Sequence, residues 1–256
     1  MLIATWNINS AKARLETIVA WLKEASPDVA CFQELKCEDQ AFPRQAFEDL
    51  GYNVAVHGQK TYNGVAILSK HPFDEVKTRL PGDDGDQQAR YIEAVIFGIR
   101  IASIYLPNGN PVASEKYAYK LAWMERLIAH ANALLKFEEP LVLAGDYNVI
   151  PEPGDARYPE NWTRDALFQP ETRAKFRELV NLGFTDAVRA AAADAGIYTF
   201  WDYQDVARRR DNGIRIDHLL LSPQAADRLK STRIDKHVRA WEKPSDHVPV
   251  VAEFAA

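Results

Sequence analysis

The sequence predicts a single α/β domain in which two β-sheets pack together and helices cover their outer faces. Short apolar runs rich in β-branched residues recur along all 256 residues. A few helical patterns sit between them, and several runs are joined by short loops. No internal repeat, low-complexity run or Pro/Gly/Ser linker divides the chain, so residues 1–256 form one domain.

The strands are expected at Leu2–Ile8, Asp28–Glu34, Tyr52–His57, Gly64–Ser69, Tyr91–Phe97, Arg100–Leu106, Leu141–Asn148, Ile214–Leu221 and Val248–Phe254. A helix is expected over Ala11–Glu24, where Leu15, Ile18, Val19 and Leu22 share one face. A second runs over Ser114–Phe137, with Ser114 as N-cap and Leu121, Met124, Leu127, Ile128, Ala131, Leu134 and Leu135 at helical spacing. That stripe, with Trp123, reads as core. Pro81-Gly82-Asp83-Asp84-Gly85-Asp86 reads as an acidic surface loop between strands.

Composition bounds the function. Hydrophobic residues at 47% and charged residues at 26% are ordinary for a globular domain, and a chain of this length buries roughly 70–75% of its unfolded surface without staples. Cys31 lies inside an apolar run and Cys37 just past it; their spacing forms neither a disulfide framework nor a metal motif. A net charge of −5 argues against a protein that coats nucleic acid indifferently to sequence. It leaves room for a DNA enzyme, because metal-binding carboxylates subtract charge locally. The N-terminus lacks the basic region of a signal peptide. No apolar stretch approaches the roughly 20 residues that span a bilayer. The expectation is a cytoplasmic protein without a membrane partner.

Several strands end in residues that a folding core disfavours. Trp6-Asn7-Ile8-Asn9 sets two amides two residues apart, on one face of a strand. Phe32-Gln33-Glu34 ends in a carboxylate, and Gly145-Asp146-Tyr147-Asn148 repeats the two-residue spacing with Asp146 and Asn148. Asp217 precedes Leu219-Leu220-Leu221, and Asp246-His247 opens the last strand. Each has a structural explanation taken singly, as a turn, a cap or a solvated loop. If Asn7, Glu34, Asp146, Asn148, Asp217, Asp246 and His247 share one rim, their charges need a cation or each other. Oxygen donors with one imidazole suit a hard metal, Mg2+ or Mn2+, over zinc.

Seven segments carry a resemblance. They are Trp6-Asn7-Ile8-Asn9, Gln33-Glu34-Leu35-Lys36, Tyr105-Leu106-Pro107-Asn108-Gly109, Gly145-Asp146-Tyr147-Asn148, Tyr198-Thr199-Phe200-Trp201, Arg215-Ile216-Asp217 and Ser245-Asp246-His247-Val248-Pro249-Val250. In that order the chain resembles the exonuclease III family of abasic-site DNA endonucleases, within the deoxyribonuclease I-like endonuclease/exonuclease/phosphatase superfamily. The first and last segments are common to the superfamily; the three around Tyr105, Phe200 and Asp217 point to its DNA repair branch. The resemblance implies a four-layered α/β sandwich of two packed, mostly antiparallel sheets flanked by helices, with the active site at one edge. It implies Glu34 as principal Mg2+ ligand with Asn7 and Asn9 beside it and Asp246 close by, Asp146, Asn148 and His247 completing the metal surroundings. Asp217 would orient His247 toward the scissile phosphate, Asp146 with Asn148 would activate water, and Tyr105 would hold phosphate or assist the leaving oxygen.

The implied substrate is double-stranded DNA with abasic sites or damaged 3′ ends, cut by a monomer in base excision repair. Phe200, Trp201, Ile214 and Ile216 are candidates for an apolar pocket around a flipped deoxyribose. Arg208, within Arg208-Arg209-Arg210, and Lys116, one helical turn from Lys120, are candidate phosphate contacts. The chain departs from the family pattern in having Ser10 where glycine is common, and Asn110-Pro111 with no basic residue after Gly109. Two other readings remain open: a superfamily phosphatase acting on inositol phosphates or sphingolipid head groups, and a catalytically silent binding module.

Overall fold

Period-2 burial organises the protein into four layers. In the computed structural model, which describes residues 1–192, 195–203 and 211–255, twelve strands form two six-stranded sheets. The first runs β11 (Leu229–Ile234), β12 (Val250–Phe254), β1 (Leu2–Asn7), β2 (Val29–Gln33), β4 (Val65–Ser69), β3 (Asn53–His57). The second runs β5 (Glu75–Thr78), β6 (Tyr91–Ile96), β7 (Ile99–Tyr105), β8 (Leu141–Asp146), β10 (Asp217–Leu221), β9 (Thr185–Asp186). Among the described residues only β1–β2 and β7–β8 pair in parallel, and each crossover passes over an outer face through a helix. These are α1 (Leu15–Ala25) and α3 (Glu115–Leu135); the short α2 (Arg44–Glu48) falls between them in the chain. The expected sandwich of two mostly antiparallel sheets is therefore present.

Alternate residues of each strand build different layers. Ile3, Val29, Cys31, Ile67, Ile101, Val142, Ala144, Leu219 and Leu221 meet between the sheets. Their neighbours Ala4, Trp6, Ala30, Phe32 and Leu68 face outward and pack under Ile18, Trp21 and Leu22 of α1. On the other side Ala102, Ile104, Leu143 and Leu220 pack under Trp123, Met124 and Leu127 of α3, with Phe176 and Leu179 of a third long helix, Pro170–Asn181. Both cysteines are buried and unbonded to each other. Among the described residues no helix is long and apolar enough to cross a membrane.

Sequence and structure differ mainly at edges. β5 and β11 are edge strands with mostly exposed or half-exposed residues, so they lack the apolar alternation that marks a strand. The helix Pro170–Asn181 was not anticipated, although Thr172, Phe176 and Leu179 are its buried stripe. Ala11–Arg14 form turns, and α1 starts only at Leu15, because Asn9 and Ser10 take left-handed φ values of 44° and 98°. The loop Pro81–Asp86 does lie between strands; Arg126 ties it down through Asp86 (2.7 Å) and the Pro81 carbonyl (3.1 Å).

Candidate active site

The row that forms the inter-sheet core turns polar at its last step. Ile3-Thr5-Asn7, Ile101-Ser103-Tyr105, Val142-Ala144-Asp146 and Leu221-Leu219-Asp217 each occupy alternate, inward-facing positions. The change begins one step before the rim, where buried Gln33 donates from one sheet to Ser103 Oγ in the other at 3.0 Å. It ends with Asn7, Tyr105, Asp146 and Asp217 on a common edge. Register then sets their spacing: Asp146 lies beside Tyr105 across the parallel pair and directly opposite Asp217 across the antiparallel pair. The approach of β7 to β8 demands glycine at 145, since a Cβ there would collide with the Ile104 carbonyl.

Two buried carboxylates directly opposite one another destabilise a sheet unless something separates their charges. His247 does so. Its Nδ1 is 2.9 Å from Asp217 Oδ2 and its Nε2 is 3.7 Å from Asp146 Oδ2. Burial alone would lower the imidazole pKa; the charges of Asp217 and Asp146 outweigh it and raise the pKa well above its ordinary value. Burial, together with the Asp217 charge, pushes Asp146 up. The ring therefore carries a proton at neutral pH, with Nδ1–H donated to Asp217 and Nε2–H aimed across the site. Thr199 Oγ1 accepts the Ile216 and Asp217 backbone N–H groups, both at 3.2 Å, and fixes the entry to β10. Behind it, fully buried Arg215 donates Nε to Asp155 (2.7 Å) and Nη1 to Asp186 (2.6 Å).

Across the cavity, Glu34 accepts from Asn7 Nδ2 and Tyr105 Oη, each at 2.9 Å, and pairs with Lys36 at 2.9 Å. Burial alone would raise its pKa, but the Asn7 hydrogen bond and the Lys36 ammonium hold the carboxyl below its ordinary value. Tyr105 is pushed well above its ordinary value, first by burial and then by the charges of Glu34 and Asp146. It stays a phenol and serves as a donor. Asp246 Oδ1 accepts from Asn9 Nδ2 at 3.0 Å. Asn7 ties the halves together, because Nδ2 also donates to Asp146 Oδ2 at 2.9 Å.

Strand alternation does not deliver Asn9, Glu34 or Asn148. All three lie past strand ends with left-handed φ of 44°, 54° and 47°. Such backbone costs energy and persists where surrounding bonds hold it. Asn148 is held by its backbone N–H on Asp146 Oδ1 (2.9 Å) and its amide on the Leu106 carbonyl (2.9 Å).

The cavity itself, about 260 Å3, is lined by Glu34, Tyr105, Asp146, Asn148, Phe200, Ile216, Asp246 and His247, joined by Asn108, Asn110, Trp162, Asp165 and Leu167. Phe200 stands edge-on to His247 with ring centres 5.0 Å apart. Two pocket candidates are corrected. Trp201 and Ile214 are 4% and 1% exposed and pack into core clusters, outside the lining. Trp201 instead donates Nε1 to Asp211 at 3.0 Å. Trp162, Asp165 and Leu167 come from a 3-10 turn and the turns that follow it, where no periodic pattern marks them in the sequence; Asn108 is visible within Tyr105–Gly109. Exposed Lys116 borders a groove beside the cavity, with Arg90, Tyr62 and Tyr119. Arg208 lies outside the described residues.

Atoms of Asp146, Asp217 and His247 approach within 4.8 Å of one another, a group that could hold a metal ion. A protonated imidazole is a poor ligand, however, and Asp217 is already committed to it. The edge formed by Glu34, Asn7, Asp246 and Asn9 fits better, as oxygen-rich donors at a site that contains no thiolate.

The sequence profile of the Endonuclease/Exonuclease/phosphatase family matches residues 4–247. The chain belongs to that family. Exodeoxyribonuclease III of Haemophilus influenzae is 34% identical, with 99% of this chain and 100% of the relative covered. The DNA repair nuclease APEX1 of Danio rerio is 30% identical, covering 100% of this chain and 82% of the relative. Among solved structures, the 3′ phosphatase NExo from Neisseria bound to a product DNA hairpin has a TM-score of 0.97 at 38% identity, covering 100% of both chains. An AP endonuclease from Archaeoglobus fulgidus has a TM-score of 0.96 at 39% identity, again covering both chains fully. The exonuclease III resemblance of the seven segments is thereby established, and the chain is a phosphodiester hydrolase.

Proposed function

We propose that this DNA repair nuclease hydrolyses the backbone 5′ to abasic sites in double-stranded DNA and also processes damaged 3′ ends. It would act as a monomer and depend on Mg2+, with Mn2+ able to substitute. The observation that carries the reading is the Asp146–His247–Asp217 chain facing Glu34 across a cavity with one apolar wall. Asp146 would orient and deprotonate the attacking water; its pKa, raised toward the range useful to a general base, supports that role. His247, held as imidazolium by Asp217, offers Nε2–H and positive charge to the phosphoryl oxygens. Asn7 and Asn148 keep the Asp146 carboxylate from rotating. Tyr105 stays a phenol that donates to Glu34 and would hold the phosphate or assist the leaving oxygen. Glu34, with Asn7, Asn9 and Asp246, would hold the metal, which when bound supplies charge neutralisation at the phosphate.

Phe200 and Ile216 present apolar surface to a sugar that lacks its base, while Lys116 and Arg90 border the adjoining groove where a strand's phosphates would run. The lack of a basic residue in the loop just after Gly109, where Asn110-Pro111 stand, favours substrates that open easily, because extruding a nucleotide from mid-duplex costs a few kcal/mol of unstacking. Activity on frayed 3′ ends is therefore expected beside the endonuclease cut. Side-by-side assay of an internal abasic duplex, a 3′-phosphate nick and a recessed intact 3′ end, each with and without chelator, tests this. All three should be cleaved in Mg2+ and none in chelator; failure on both the abasic and the 3′-phosphate duplexes overturns the reading.

A further inference from the structure

Lys120 is a basic side chain that neither meets solvent nor lines the cavity, and burial pulls its pKa down to about 7. It projects from α3, is fully buried, and donates Nζ to the Asn108 carbonyl at 3.0 Å and the Asn148 carbonyl at 2.6 Å. It cannot contact DNA, although its spacing from Lys116 suggests a phosphate-binding pair. Its two acceptors belong to different loops. Asn108 lies three residues beyond Tyr105 and Asn148 two residues beyond Asp146, and the two asparagines also bond to each other, Nδ2 to Oδ1, at 3.1 Å. Asn148 leaves β8 with left-handed backbone, and its N–H holds Asp146 Oδ1. With that N–H aimed at the carboxylate, its carbonyl is turned inward, where Lys120 meets it.

The fit around the lysine is close. Gly109 has φ of +88°, and a Cβ there would stand 2.6 Å from Lys120 Cδ. The glycine of Tyr105-Leu106-Pro107-Asn108-Gly109 thus makes room for the stem that reaches the two carbonyls.

We propose that Lys120 is a positioning residue for hydrolysis, clamping the loop after Tyr105 to the loop after Asp146 and so fixing the Asp146 carboxylate through Asn148. The proposal deepens the nuclease reading and rests on it for its kinetic arm. Small displacements of a catalytic group cost far more turnover than affinity, up to about 100-fold for roughly 1 Å. Lys120 touches no substrate, so its loss should fall on kcat and spare KM.

The experiment compares the wild-type protein with Lys120→Met, which keeps the stem and removes the donors. The abasic duplex in Mg2+ gives kcat and KM, and hydrogen exchange gives the protection of the Asn148 amide and of core amides in β1 and β8. Expected are a fall in kcat of about 10–100-fold, KM within about threefold, and lost protection at Asn148 while the core amides keep theirs. An unchanged kcat in Lys120→Met with active wild-type protein overturns the proposal. So does loss of protection spread evenly over the core, which marks a merely structural lysine. Inactive wild-type protein instead overturns the nuclease reading, and the exchange at Asn148 then decides the clamp by itself. Should Lys120→Met not fold, Lys120→Gln, with a shorter neutral donor, carries the same readouts and is expected to lie between the two.

Discussion

Replacing Asp217 with Asn removes the charge that keeps His247 protonated while leaving a side chain of the same shape. The carboxylate lies 2.9–3.1 Å from Nδ1. At an effective dielectric near 20, opposite charges about 3 Å apart attract by roughly 5 kcal/mol, equivalent to between three and four pKa units at about 1.4 kcal/mol each. Burial already opposes the charged ring, so losing this attraction should leave the imidazole largely unprotonated at pH 7. A preorganised charge aimed at the developing transition state contributes about 2.7–4 kcal/mol, so kcat should fall about 100–1,000-fold. Single-turnover cleavage of an abasic duplex gives the rate, and side-chain 15N shifts of His247 across pH give its protonation. Asp217→Asn combined with His247→Asn should lose little more than either alone, because the pair acts as a unit. A loss below tenfold, or a double variant whose losses add, would refute the reasoning.

Glu34→Ala should retain the fold but raise the Mg2+ concentration needed for half-maximal cleavage by at least tenfold; full activity in limiting Mg2+ would remove Glu34 from the metal site. Phe200→Ala should impair the abasic duplex more than the recessed 3′ end, because the ring stands against His247 on the apolar wall; equal impairment would make it packing only. Stability should depend on pH through the Asp155–Arg215–Asp186 cluster. Burial would raise both carboxyls, but Arg215 depresses them below their ordinary values. Carboxyls depressed in the folded state stabilise it above the unfolded pKa near 4, and that contribution is lost as pH falls through the lower folded values. The cluster's contribution to the Tm should therefore hold above about pH 5 and be lost below about 4. Arg215→Met should cost about 3–5 kcal/mol at pH 7 by removing the guanidinium shared by two buried carboxylates, with only Arg189 left on Asp155 and His218 beside Asp186, and its acid limb should flatten. A parallel limb in both proteins would show that the cluster is not coupled to folding.

Inward-facing chemistry was legible where a strand's own alternation carried it. Ile3-Thr5-Asn7 and Val142-Ala144-Asp146 announce both the face and the point at which it turns polar. Asn9, Glu34 and Asn148 could be named from their residue types, but their place depends on left-handed backbone that alternation does not encode. Trp201 and Ile214 were misplaced for a related reason. Apolar residues next to a site look alike in sequence whether they line the cavity or back it; Ile214 and Ile216 even share one core cluster, and only the folded cavity wall separates Phe200 and Ile216 from the other two. The edge strands β5 and β11 gave no signal because half-exposed strands need no apolar row. Lys120 was visible only as half of a helical pair; nothing in its spacing distinguishes a solvated lysine from one buried against two carbonyls.

Hydrolysis of a phosphodiester by Asp146, His247 and a metal held at Glu34 leaves ends that elimination does not. Mass analysis of the ends left at an internal abasic site in duplex DNA tests it most directly. The account predicts a 3′-hydroxyl and a 5′-phosphate carrying the sugar, formed in Mg2+ and absent both in chelator and with Asp146→Asn. A 3′ end bearing an unsaturated sugar remnant, the mark of elimination, or cleavage that persists in chelator, would contradict it.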